Sequence, residues 1–121
     1  MARVGSKEAF SGSSNGRLIR LEDVATPGTL IHTTPTTNVI DIVHLWAQLL
    51  VTATSRTLSV EWGGTATLDI MSIFLNDGTS TDGMVKVIDG FPLTTASGLT
   101  VRAFATASDE VFIGGYVNRF I

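Results

Sequence analysis

His32 and His44 are the only imidazoles among 121 residues, and the chain contains no cysteine. On adjacent strands the pair could bind a metal together. A metal site needs further ligands, however, and no HxH, HExxH or cysteine cluster supplies them, so packed or surface histidines are the preferred reading. Serines are plentiful, but a Ser/His/Asp nucleophile needs a serine presented on a strained turn, and there is no GxSxG or comparable context. The segment NDGTSTDG (76–83) offers Asp77 and Asp82 beside several hydroxyls. Calcium accepts such oxygens, yet the spacing lacks the EF-hand order and its closing glutamate, which favours plain Asp-Gly turns. Gly63 and Gly64 lead into no GxGxxG or GKS/T pattern and so form no phosphate cradle. These residues argue against an enzyme and against a bound metal or cofactor.

Flat rings are a second source of chemistry. Trp46, Trp62 and Tyr116 would stack on a sugar if exposed, although Trp62 shares a face with Leu58 and Val60 and reads better as core. Arg102 and Arg119 lie within late strands, where they suit interface or cross-sheet ion pairs or, alternatively, surface positions of little energetic weight. Arg17 and Arg20, in RLIRLED, suit either an anchor to a carboxylate-bearing neighbour or a solvated arm.

The elements that must position these groups read as β. TLSVEW (57–62) sets Leu58, Val60 and Trp62 against Thr57, Ser59 and Glu61, the alternation of a half-buried antiparallel strand. GLTVRAFAT (98–106) alternates in the same way, and TLIHT (29–33), MVKVID (84–89) and VFIGGYVNRFI (111–121) are further strands. MVKVID should stop at Gly90 and Pro92, since proline cannot donate to a ladder. Gly114 and Gly115 mark a bulge or a close approach. In TLDIMSIFL (67–75) the apolar parity switches near Ile70, which suggests a bulge or a change of sheet. VIDIVHLWAQLLV (39–51) has a helical competitor, because Asp41, His44, Gln48 and Thr52 follow helical spacing. Its β-branched residues, with TLSVEW close behind as a partner, favour a strand. Short strands and short turns predict an all-β, single-domain antiparallel β-sandwich over 28–121, with a jelly roll as the particular form to test.

Residues 1–27 read as an extended arm. GSKEAFSGSSNG is rich in glycine and serine, lacks periodicity, and would order only when pinned, for which a neighbouring subunit is the expected agent. Residues 1–20 hold Arg3, Lys7, Arg17 and Arg20 against Glu8, a local +3 within a chain of net charge −3. Four spread cations are too few to suggest direct nucleic-acid contact. The N-terminus lacks the apolar run of a secretory signal, and no membrane-spanning apolar stretch is present. Absence of cysteine suits assembly in a reducing cytoplasm.

Two strands carry a surplus. On 39–51 both faces are mainly apolar, and on 111–121 Phe112, Tyr116 and Phe120 oppose Val111, Ile113, Val117 and Ile121. One sandwich offers an interior to one face of each strand. Charged residues are 16% of the chain and mean hydropathy is +0.32, fewer charges than a small domain normally uses to coat itself. A homo-oligomer is the expectation, with Phe112, Tyr116 and Phe120 at its contact.

LSVEWGGT (58–65), GFPL (90–93), GLTVRAFA (98–105) and GYVNRFI (115–121) together resemble small structural proteins of tailed-bacteriophage virions, of the capsid decoration or cement type. The resemblance covers roughly residues 28–121 and carries no catalytic motif. It implies a β-sandwich that oligomerises, with a trimer favoured, and binds major capsid protein on the outer surface of the shell. The basic arm, through Arg3, Lys7, Arg17 and Arg20, would then spread over capsid protein. Neck, tail or fibre-attachment components are the alternative within virions, and a carbohydrate-binding jelly-roll module is the alternative outside them.

Overall fold

The computed structural model describes residues 5–50, 55–75, 84–95 and 98–121. Its strands are β1 (Gly5–Ala9), β2 (Ile19–Arg20), β3 (Thr29–Thr33), β4 (Val39–Leu49), β5 (Arg56–Trp62), β6 (Ile70–Leu75), β7 (Val85–Thr95), β8 (Thr100–Ala105) and β9 (Val111–Phe120). They form two antiparallel sheets, ordered β1-β9-β4-β7 and β3-β8-β5-β6, with β2 continuing along β9 beyond β1. Counting β1 and β2 as one interrupted strand, the eight strands change layer at every connection except β5–β6, as in a jelly roll, the form anticipated for the predicted all-β sandwich.

Alternation decides which side of each strand faces inward. β4 buries Val39, Asp41, Val43, Leu45, Ala47 and Leu49, and leaves Ile40, Ile42, His44, Trp46 and Gln48 half-buried on the outside. Val43, Leu45, Ile113 and Val117 of the first sheet meet Leu58, Val60, Val101 and Ala103 of the second, all fully buried. Each such side chain contributes roughly 1.5–3 kcal/mol relative to exposure. Gly115 faces this core at φ 146°, where a Cβ would strike the His44 carbonyl oxygen; the Phe10 ring fills the space, 3.0 Å from that Cβ position. The Gly114–Gly115 pair is therefore a close approach, since the β4–β9 register runs through it unbroken.

Four local expectations are corrected. β4 and β5 do not pair: β4 lies between β7 and β9, and β5 between β6 and β8, so the connection changes layer. The parity switch near Ile70 is neither a bulge nor a change of sheet. A single 3-10 turn, Thr67–Asp69, precedes β6, whose pairing with β5 is continuous. β7 runs through Gly90 and Pro92 to Thr95, because it is an edge strand and proline needs no partner on an open side. Finally, residues 5–27 are extended only at β1 and β2, with turns at 11–16 and bends at 24–27, and they are held by their own chain. β1 and β2 pair with β9, while Phe10, Ile19 and Leu21 enter the core. Three apolar residues at irregular spacing were enough to dock a segment whose composition suggested a loose arm.

Candidate functional site

The outer face of the first sheet gathers the residues singled out as a contact surface. Across β4 and β9, Ile40 pairs with Phe120, Ile42 with Asn118, His44 with Tyr116, Trp46 with Gly114 and Gln48 with Phe112. The Tyr116 ring stacks on His44 at 4.9 Å between centroids and lies 6.1 Å from Trp46. Lys7 of β1 reaches over Tyr116 and Lys86 of β7 over Trp46, each 4.6 Å from the ring centroid. Lys86 also bonds Asp89 at 2.7 Å, which lies 3.7 Å from His44 Nδ1. Leu18 and Met84 lean against the bare backbone at Gly114, and the Phe120 ring lies over Gly5. Phe112, Tyr116 and Phe120 thus share one outward face with Trp46, Ile40 and Ile42, with cations at its flanks.

The predicted basic residues do not converge. Lys7 joins the aromatic face. Arg17 is exposed in the 10–18 loop, and Arg20 forms surface ion pairs with Glu22 at 3.4 Å and Asp109 at 3.2 Å. Arg3, Asp77 and Asp82 lie outside the described residues. Trp62 is half-buried at the rim of the core, edge-on to Phe91 at 6.1 Å.

A second constellation is internal; the sequence offered Arg119 as an ion-pair candidate and His32 as a packed histidine, but not their common partner. Asp41 of β4 and Arg119 of β9 are register partners on the inward side. Arg119 Nε donates to Asp41 Oδ1 at 2.8 Å, its second nitrogen donates to Oδ2 at 3.1 Å, and His32 Nε2 donates to Oδ2 at 2.8 Å. The Ser11 backbone N–H donates to His32 Nδ1 at 3.1 Å, which fixes the neutral tautomer with its proton on Nε2. Both ring nitrogens are therefore engaged, and His32 and Asp41 are 1% and 0% exposed. The cluster ties the N-terminal segment, β3 of one sheet and β4 and β9 of the other. The available signal was Asp41 itself, a lone carboxylate on a strand face otherwise apolar, which demands a counter-ion. Arg102 serves similarly on the other layer, donating to the Gly28 carbonyl at 3.1 Å, while Glu61 accepts from Gly28 N–H at 2.5 Å and from the Thr26 hydroxyl. His44 lies on the outer face, so the two histidines do not meet. Among the described residues no group of three His, Cys, Asp or Glu side chains is placed to hold a metal, and no helix is long and apolar enough to cross a membrane.

Burial lowers the His32 pKa below its ordinary 6.5, against the upward pull of Asp41 and with help from the Arg119 charge. For Asp41 burial is the largest influence and acts upward, but the hydrogen bonds and charges of Arg119 and His32 outweigh it, and the carboxyl titrates below 3.8. The sign follows for both groups. As pH falls through 6.5 the unfolded chain protonates its histidine first, so folding stability declines, and below 3.8 Asp41 continues that decline. Thermal melts between pH 7.5 and 5 are expected to show a falling Tm, and His32→Gln is expected to flatten the slope.

No family model and no curated protein matches the chain. Among solved structures it is similar to an exo-β-1,3-galactanase from Phanerochaete chrysosporium, crystallised with β-1,3-galactotriose, at 15% identity and a TM-score of 0.40. The match covers 98% of this chain and 26% of that one, so the chain spans about a quarter of that enzyme's length.

Proposed function

We propose that this chain is a non-enzymatic structural subunit of a virion: an oligomeric, trimeric capsid decoration protein that binds the outer surface of a shell of major capsid protein and is assembled in the host cytoplasm. The observation that carries this reading is the outer face of the first sheet, where Ile40, Ile42, Trp46, Phe112, Tyr116 and Phe120 are only half-buried. The virion-protein resemblance of residues 58–65, 90–93, 98–105 and 115–121 supports it, and jelly rolls are a common architecture of such subunits.

Covering the remaining surface of six such side chains contributes on the order of 1 kcal/mol each per copy. Across a contact that approaches the ~4–15 kcal/mol cost of association. Free subunits should therefore associate in a concentration-dependent way, and hold tightly where many contacts act together on a shell. Lys7, Arg17 and Arg20 lie on or beside the same sheet and offer cations to acidic capsid protein.

The Trp46–Tyr116 pair also suits a sugar-stacking platform, but Lys86 and Lys7 already lie over those two rings. Tyr116→Arg separates the readings by setting a charge beside Lys7 in the middle of the face. The expected result is a folded protein of lower oligomeric mass by light scattering and loss of binding to shells. Unchanged oligomer mass and shell occupancy would refute the assembly reading, and glycan-array binding abolished by the same change would favour the sugar module. Density at the neck and not between capsomers would shift the role to a connector protein.

A further inference from the structure

Two antiparallel sheets have four edges, and a soluble protein must keep each from pairing at random. At one edge of the first sheet, β1 and β2 carry Lys7, Glu8 and Arg20. At the other, β7 carries Lys86, Asp89 and Pro92, and its register with β4 shifts twice, at Val87 and Gly90. In the second sheet β3 is bulged between Leu30 and His32 and is capped from outside, where Gly12 N–H bonds the Ile31 carbonyl at 2.9 Å and Thr33 N–H bonds Ser11 Oγ at 2.7 Å.

Among the described residues the fourth edge has none of these devices. β6 reads IMSIFL, without charge, proline or glycine, and its register with β5 is unbroken from Arg56–Leu75 to Glu61–Ile70. Among the described residues β5 is the only strand paired with it. Phe74 is 66% exposed, and Leu68, in the turn leading into the strand, is 99% exposed.

We infer that the free edge of β6 pairs with β6 of a second copy, antiparallel about a two-fold axis through Ser72. Opposed residues in such a pair share a face. Centred on Ser72, Met71 meets Ile73 on the core side, extending one interior into the other, and Ile70 meets Phe74 on the outer side. Each pairing occurs twice by symmetry, as an isologous contact requires. Shifting the axis to Ile73 would set Phe74 against Ser72 and lose the match. A second copy is the occupant because the pattern apolar-apolar-Ser-apolar-apolar is its own complement and brings no like charges together. This contact is on the opposite layer from the aromatic face, so it adds a second, independent interface.

The chain's lack of cysteine permits a direct test. Two-fold pairing puts the two Ser72 Cα atoms roughly 4.5–5.5 Å apart, within the range a disulfide spans. Under mild oxidation Ser72→Cys is expected to give a covalent dimer as the main species on a non-reducing gel, whereas Ser14→Cys, exposed elsewhere, gives only background. Adding Phe74→Lys should reduce the Ser72→Cys cross-link at least tenfold. Adding Tyr116→Arg should leave it intact, so failure of the aromatic interface and failure of the edge contact read out separately. Cross-linking of Ser72→Cys no greater than that of Ser14→Cys, or insensitive to Phe74→Lys, would overturn the inference.

Discussion

A chain lacking residues 1–20 is expected to lose its cooperative fold at 25 °C. The truncation removes Phe10 and Ile19 from the core, strips β1 and β2 from β9, and takes away the Ser11 N–H that satisfies His32. Truncating a buried phenylalanine costs about 3–5 kcal/mol and a buried isoleucine about 2–5. Their sum reaches the 5–15 kcal/mol total of a typical domain before the exposed edge of β9 is counted. Near-UV circular dichroism and urea titration check this, with Phe10→Ala as the single-site control, expected to lower the unfolding free energy by about 3–5 kcal/mol. A truncated chain that keeps a sharp native transition would restore the picture of an arm that is not needed for folding.

That expectation reverses the one drawn from composition, and the reason is physical. Gly and Ser richness reports the entropy a segment must lose, whereas docking depends on a few apolar anchors whose partners lie a hundred residues away. Phe10 fits because Gly115 has no side chain, a complementarity no local window contains. Strand existence was legible for the opposite reason. In TLSVEW and in 111–121 each residue's face is set by its own parity, so alternation alone separates Val117 and Ile113 from Phe112, Tyr116 and Phe120. Pairing was not legible: the short link after 39–51 looks like a hairpin, yet the chain changes layer there because β4 finds β9, seventy positions on. Proline in β7 misled because its cost depends on whether the strand is central or at an edge, which is a property of the sheet. The outer aromatic face was readable as a surplus of apolar positions, while its companions Lys7 and Lys86 needed the register to place them.

Arg119→Met is expected to cost about 3–5 kcal/mol at pH 7.5, the usual consequence of leaving a buried carboxylate without its counter-ion. Asp41 is fully buried and would keep only the His32 hydrogen bond, in place of two further bonds from the guanidinium. The pH dependence distinguishes this from a simple packing loss. With Arg119 gone, its charge no longer opposes proton uptake by the His32–Asp41 pair, although burial still does, so the variant's folded state takes a proton at higher pH than the native protein does. Its deficit should therefore narrow as pH falls from 7.5 to 5.5, while the native protein itself loses stability over that range. Urea titrations of both proteins at the two pH values measure the difference. A deficit under about 1 kcal/mol, the worth of an exposed pair, would mean that the carboxylate reaches solvent. One that does not change with pH would mean that methionine merely packs badly there, and the cluster would then no longer account for how the two sheets are tied at that end.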